Sequence, residues 1–181
     1  MNKKQRDLKK LKAFAKALGL KTVFKTAKKT DPGACWSPDL SITFFIRKND
    51  TQKKLLLNLL HELAHHADFI EQKKAHPEML YDALNTEDSR KNKNSPKVDK
   101  SMRLLILEDE TRAAGYRQNI RKQLDLESIT EEDVEEDIKL DIWIYNYYYQ
   151  KGEFPTLKQV SDARSNIMSK SNRRTKRNGT K

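Results

Sequence analysis

One short motif in the 181-residue chain combines residue types that can bind a metal and activate water. Residues 61–65 read His-Glu-Leu-Ala-His, so two histidines stand four positions apart. On a helix, His61 and His65 project from one face, where both imidazole rings can bind the same Zn²⁺ ion. Glu62 lies beside them and can accept a proton from a water molecule on the metal. The motif therefore predicts a metallohydrolase centre with Glu62 as its general base.

The surrounding residues predict that this motif lies on a helix with one buried side. Thr51 can cap a helix over about residues 52–71. Apolar residues recur along this segment at helical spacing, at Leu56, Leu59, Leu60, Leu63, Ala67 and Ile70. His61 and His65 fall almost opposite that stripe on a helical wheel, which suits a metal site facing away from the core. His66 lies near the edge of the stripe, and we interpret it first as a packing or hydrogen-bonding residue and second as a site residue.

A catalytic zinc site usually has three protein ligands, so a third ligand must come from outside the motif. Glu110 is the preferred candidate, on a second predicted helix over 101–124. Its neighbours three and four positions away are all apolar: Ile106, Leu107, Ala113 and Ala114. A carboxylate aimed into such a face needs a compensating cation. The nearby acids Glu108 and Asp109 instead have Arg112 among the corresponding neighbours.

Two alternatives to this ligand set follow from the same residues. Glu110 could instead be a partly exposed acid that pairs with an arginine such as Arg103 or Arg117. His76, which precedes a proline, is a second candidate for the third ligand.

The elements around the motif predict an α+β fold in which helices dominate, of the zincin-like kind. A helix over 4–18 should stop at Gly19, because glycine is favoured just past a helix end. Residues 34–36 and 42–46 read as two strands of a hairpin, so we expect a small antiparallel sheet next to the motif helix. The end of its last strand, 44–46, could offer an edge to which a substrate strand adds.

The chain length predicts one compact domain, over residues 1–150, with a polar loop or insertion at 85–99. A short helix should follow at 151–168. Residues 169–181 are basic and have almost no apolar surface to bury, which predicts a disordered tail.

The charge of the chain is concentrated at its ends. The net charge is +11, and residues 1–29 carry +10 and residues 164–181 carry +7, which leaves −6 in between. The basic ends could contact nucleic acid, whereas a uniformly basic nucleic-acid binder is not indicated. A single cysteine, Cys35, excludes an internal disulfide and a cysteine-rich zinc site. The sequence has neither a signal peptide nor an apolar run of about 20 residues, so we expect a cytoplasmic protein that does not contact membranes.

The order of these elements and motifs resembles the ImmA/IrrE family of zinc metallopeptidases. His61-Glu62-x-x-His65 matches the family's metal motif. Glu110-Thr111-Arg112-Ala113 matches the family's Glu-x-Glu-Ala helix at its first Glu and its Ala, with Arg112 where a second Glu is common. The resemblance covers about residues 5–120. It implies a gluzincin-type site, and a substrate that is a regulatory protein such as a transcriptional repressor, in phage or mobile-element biology.

The expected function is therefore zinc-dependent endoproteolysis of a protein or peptide substrate. A DNA-associated metalloprotease similar to the SprT type is the first alternative, with His76 as third ligand and the basic ends on DNA. A second alternative is a non-catalytic nucleic-acid-binding module in which the metal is structural. Only the two enzyme hypotheses require Glu62 beside an open metal position. The sequence does not indicate an oligomeric state.

Overall fold

The computed structural model describes residues 1–28, 34–37, 41–48, 51–75 and 99–178. Across these ranges the elements are α1 (Lys3–Ala17), β1 (Lys21–Thr26), β2 (Ala34–Ser37), β3 (Ser41–Ile46), α2 (Gln52–Ala75), α3 (Lys100–Gln123), α4 (Glu131–Lys151) and α5 (Leu157–Asn178). The predicted α+β class with dominant helices is confirmed. His76 and all but the last residue of the predicted loop at 85–99 lie outside the described residues. None of the described helices combines the length and the apolar character that crossing a membrane requires.

The chain forms two compact units, whereas its length predicts one domain over 1–150. The first unit comprises Met1–Pro96 and Arg112–Glu131, and therefore contains α1, the sheet, α2 and the second half of α3. The second unit comprises Lys97–Thr111 and Glu132–Lys181, with the first half of α3 and the last two helices. Helix α3 continues without a break through both units.

The sheet has three strands in the order β1-β3-β2. β2 and β3 pair antiparallel, from Ala34↔Phe44 to Ser37↔Ser41, so the predicted hairpin is confirmed. β1 pairs with β3 in parallel, however, so the prediction of an antiparallel sheet is wrong for this pair. A parallel pair needs a connection of about a dozen residues or more, and the stretch of sequence between Thr26 and Ser41, which includes β2, is long enough.

This strand order also changes the role of β3. β3 lies in the centre of the sheet, and it pairs with β1 over its whole length and with β2 from Ser41 to Phe44. The prediction of an edge for strand addition is therefore wrong for Phe44, and it stays a prediction for residues 45–46, which pair with β1. Ile42 and Phe44 are buried, and Phe44 stacks on Phe24 of β1 at 5.4 Å between ring centroids. β3 thus forms part of the core from which the chain enters α2.

Helix α1 is defined at both ends by its own sequence. Asn2 and Gln5 form a reciprocal capping box at its start. At its end the chain turns at Gly19, whose φ of 75° is a left-handed conformation that glycine adopts without steric cost. The helix packs on α2 and on β1 and buries Leu11 and Ala15.

A buried carboxylate on α1 holds the turn that follows α3. Asp7, which is 0% exposed, accepts hydrogen bonds from the backbone N–H groups of Glu127 (3.2 Å) and Ser128 (2.7 Å), and from the Ser128 hydroxyl. Lys10 donates to the Asp125 carbonyl at 2.5 Å. These bonds fix the end of α3 against α1, and the sequence contained no local signal for them.

Helix α2 begins as predicted. Thr51 caps it, because its Oγ1 accepts a hydrogen bond from the Lys54 N–H at 3.1 Å. The predicted apolar stripe is fully buried over Leu56, Leu59, Leu60 and Leu63. The helix extends to Ala75, one turn beyond its predicted end.

The second unit has its own small core. Within α4, Val134, Leu140 and Tyr148 are buried, and Tyr148 stacks on Phe154 with centroids 4.3 Å apart. α5 begins with a capping box in which Thr156 and Gln159 exchange hydrogen bonds. α5 continues to Asn178, so the prediction of a helix ending at 168 and a disordered tail from 169 is wrong up to that residue. No glycine or proline interrupts residues 157–178, which allows the helix to continue.

Candidate metal centre

Helix α2 places the two motif histidines so that their rings converge. The Nε2 atoms of His61 and His65 are 3.2 Å apart, and the rings meet edge to face at 4.7 Å between centroids. Two nitrogens that each lie ~2.0–2.1 Å from a tetrahedral Zn²⁺ are separated by about 3.3 Å. The pair therefore already has the spacing of two ligands of one ion, as the four-residue interval predicts.

Helix α3 contributes the third member of the group. Ligand atoms of His61, His65 and Glu110 all lie within 4.8 Å of one another. Glu110 is 5% exposed, and it stands one turn before the buried Ala113 and Ala114 on the same continuous helix. The three residues predicted as ligands are thus brought together, and this group could hold a metal ion.

The other acids considered on this helix are less buried than Glu110. Glu108 is exposed and Asp109 is half-buried, whereas Glu110 is buried. This order follows from their neighbours, since only Glu110 has apolar residues at every position three and four away. The predicted choice among the three acids agrees with the burial.

The donor set suits a divalent ion of the zinc type. Two imidazole nitrogens and one carboxylate oxygen are a common three-ligand set for Zn²⁺, which leaves a fourth position for water. His65 and Glu110 are buried, whereas His61 and Glu62 are half-buried. The site is therefore reached from the side of His61 and Glu62.

Arg117 is a site residue whose contact the sequence did not predict. It is 1% exposed, and its Nη2 donates a hydrogen bond to Nδ1 of His61. Sequence reasoning considered Arg117 only as an ion-pair partner of Glu110. A signal was present, however, because Arg117 shares the face of Ala113, Ala114 and Ile120, all of which are buried.

A second contact joins α2 to α3 beyond the histidines. Asp68 is buried and accepts hydrogen bonds from Gln72 at 2.6 Å and from Arg112 at 3.3 Å. His61 contacts Arg117, and Asp68 contacts Arg112. Residue numbers therefore rise along α2 while those of their partners fall along α3, so the two helices are antiparallel here. The second half of α3 is thus held by side-chain contacts at both ends of the motif region.

His66 is directed away from the metal ligands. Its Nε2 lies 3.0 Å from the carbonyl oxygen of Leu18, at the end of α1, and the ring is buried. Burial lowers the pKa of His66, and the hydrogen bond to Leu18 opposes this effect. A neutral ring can still donate its Nε2–H to that carbonyl. The interpretation of His66 as a packing and hydrogen-bonding residue is confirmed.

Tyr116 lies near the second contact between α2 and α3. Its pKa is raised by burial and by the negative charges of Asp68 and Glu71. The phenol therefore stays protonated at neutral pH and is available as a hydrogen-bond donor.

Comparison with known proteins gives no match for this chain, whether against family models, curated proteins or solved structures.

Proposed function

We propose that this chain is a zinc-dependent metalloendopeptidase with His61, His65 and Glu110 as ligands. The observation that carries the proposal is the convergence of these three side chains, with ligand atoms within 4.8 Å of one another. The similarity of the His-Glu-x-x-His and Glu-x-x-Ala segments to the ImmA/IrrE family supports it further. Two His and one Glu are the ligand set of gluzincin-type enzymes.

Glu62 is the proposed general base. The metal's contribution would be Lewis acidity toward the scissile carbonyl and toward water. The Glu62 carboxylate accepts a proton from the attacking water and then passes that proton to the leaving amine. Its position next to His61 on α2, half-exposed, suits a group that must meet both water and substrate.

The proposed substrate is a polypeptide, and the family resemblance favours a regulatory protein. His61 and Glu62 are the more exposed members of the site, so the scissile bond would approach from their side. His65 and Glu110, being buried, would hold the ion from the opposite side.

The test compares the wild-type chain with Glu62→Gln. We expect both proteins to contain about one zinc per chain by elemental analysis, because Glu62 is not a ligand. Cleavage of denatured casein and of a mixed peptide library, followed by mass spectrometry, should fall ~10²–10⁴-fold in the variant, since an amide cannot accept the proton.

Glu71→Gln is the matched control, because Glu71 lies on the same helix but is exposed and pairs with Lys74 at 2.7 Å. It should keep wild-type cleavage. Equal cleavage by Glu62→Gln and wild type would remove Glu62 as the base, and a zinc-free wild-type protein would refute the metal site.

A further inference from the structure

The exposed side of α1 is a row of three lysines. Lys9, Lys12 and Lys16 are all exposed, and their spacing of three and four positions places them on one helical face. At 1.5 Å per residue, this lysine row extends over ~10 Å of the helix. The small side chain of Ala13, next to the row, is also exposed. The three ammonium groups therefore form an uninterrupted positive surface.

The acids that contact α1 do not neutralise the lysine row. Asp7 is the one acid among residues 1–28, and it is buried and accepts hydrogen bonds from the turn that follows α3. Glu127, in that turn, pairs with Lys3 at 3.6 Å and with Arg6 at 3.1 Å, near the start of the helix. Within the part of the chain that the structure describes, no acid forms an ion pair with the lysine row. Its charge is therefore available to a partner.

The apolar side of α1 is already buried in the protein. Leu11 and Ala15 are 0% exposed, and the helix packs on α2 and β1. A helix that binds a membrane surface inserts its apolar face into the lipid. No large apolar side chain of α1 is exposed, so this helix has no such face to offer. A lipid surface therefore does not fit the lysine row.

The lysine row also lacks groups that read bases. Proteins that bind single strands stack the bases on aromatic side chains. The Phe24 ring, whose centroid lies 4.2 Å from Lys12 Nζ, is half-buried and already stacks on Phe44 at 5.4 Å. Between Lys9 and Lys16 the sequence has no Ser, Thr, Asn or Gln, residue types that contact base edges or ribose hydroxyls. The row therefore suits phosphate groups, for which the lysine ammonium is a compact point charge.

We propose that the lysine row of α1 binds the phosphate backbone of double-stranded DNA without sequence preference. Duplex DNA carries one negative charge per ~1.7 Å of its axis, so a row ~10 Å long meets several phosphates. Each phosphate that a lysine neutralises releases condensed counterions, which makes the binding sensitive to salt. The proposal narrows the prediction that the basic ends contact nucleic acid to one face of one helix. No residue of the row belongs to the metal site, so the proposal does not depend on the proposed function.

The experiment measures binding of the full-length chain to a fluorescently labelled DNA duplex of arbitrary sequence, by anisotropy, over a range of salt concentrations. The row variant combines Lys9→Gln, Lys12→Gln and Lys16→Gln. Its affinity should fall by at least about tenfold at low salt, because three phosphate contacts are lost. The slope of log affinity against log salt concentration should become shallower by about 2–3, close to one per lost contact.

The matched control removes the same amount of charge from lysines that are already paired. It changes to Gln three lysines whose side chains are 46–66% exposed and lie within 4.0 Å of an acid. These are Lys74, Lys122 and Lys139, which pair with Glu71, Glu131 and Glu135. The control variant should keep nearly the wild-type affinity and slope. Equal losses in the two variants would mean that binding follows net charge alone, which would overturn the proposal.

A charge-preserving variant separates a lost contact from a damaged fold. Arg at positions 9, 12 and 16 keeps three positive charges on the same face, so this variant should bind the duplex about as tightly as wild type. Loss of binding in both the Arg variant and the Gln variant would show that the charge of the row is not what binds. Circular dichroism and urea unfolding of all variants should match wild type, because the three side chains are exposed.

The choice of partner is tested with the wild-type chain. A chain that does not bind the duplex even at low salt would refute the proposal. Tighter binding to an RNA duplex of the same sequence would overturn the assignment to DNA. So would binding to phosphatidylserine vesicles in a sedimentation assay, if the row variant lost it and the duplex was not bound.

Discussion

Two buried carboxylates in this protein have opposite surroundings. Asp7 is 0% exposed and Glu110 is 5% exposed, so the cost of removing each charge from water is similar in kind. Asp7 accepts two backbone N–H bonds and one hydroxyl bond from a single turn, whereas Glu110 lies beside the imidazole rings of His61 and His65. The comparison teaches that the type of partner, and not burial itself, separates a structural acid from a candidate ligand.

The difference follows from what each partner can do. Backbone N–H groups are permanent donors, so the turn at Glu127 and Ser128 offers Asp7 the same hydrogen bonds whether or not an ion is present. An imidazole ring presents either a proton or a lone pair, depending on its tautomer. The surroundings of Glu110 can therefore adapt to a cation, whereas those of Asp7 cannot.

The largest expected effect is on metal binding, at Glu110. Replacing Glu110 by Ala removes one of three ligands, and zinc affinity should fall by more than about 100-fold, beyond what loss of an outer partner causes. Competition with a chromophoric chelator measures the zinc affinity of each variant. Glu108→Ala is the matched control, because Glu108 is exposed on the same helix. If both variants lost zinc affinity equally, Glu110 would not be a ligand.

The next effect is on stability, at Asp7. Asp7→Ala leaves three donors of the turn without their acceptor, and we expect a loss of about 2–4 kcal/mol in the free energy of unfolding, measured with urea. Zinc affinity of the folded variant should not change.

Arg6→Ala provides the internal control, since Arg6 joins the same helix to the same turn through Glu127 at 3.1 Å, but its side chain is 42% exposed. We expect Arg6→Ala to lower the free energy of unfolding by only about 0–1 kcal/mol. Equal losses in the two variants would mean that the buried carboxylate has no special role in the turn.

The smallest effect extends the comparison to an exposed carboxylate. Asp99 caps α3, and its Oδ1 accepts from the Ser101 hydroxyl at 2.6 Å and from the Met102 N–H at 2.8 Å. Both hydrogen bonds lower the pKa of Asp99 below the ordinary value of 3.8, and the bond from the Ser101 hydroxyl has the larger effect. A lowered pKa in the folded state means stability that is present above pH 3.8 and is lost as the pH falls through the folded value.

The measurement is the unfolding free energy of wild type and two variants as a function of pH. Asp99→Ala should be less stable than wild type at neutral pH, and this difference should shrink as the solution is acidified below pH 3.8. Asp99→Ser keeps a cap oxygen without a titrating charge, so its stability should lack this part of the acid dependence. A pH-independent gap between Asp99→Ala and wild type would contradict the assignment.

Local sequence was sufficient for the features that depend on residues within one or two helical turns. The interval from His61 to His65 determined that both rings share a face, and Thr51 determined where α2 begins. The apolar neighbours of Glu110 predicted its burial, because residues three and four apart share a helical face. These predictions needed no knowledge of distant residues.

Tertiary structure alone decided the contacts between residues far apart in the chain. Short apolar runs indicate strands but not their direction, so the parallel pairing of β1 with β3 was not predictable from them. Asp7 finds its donors about 120 positions away, and Arg117 meets His61 from another helix. Residue types and local periodicity specify which face of an element is buried. Only the packed chain specifies which polar group a side chain contacts on another element. For His61, a proposed metal ligand, that group is Arg117.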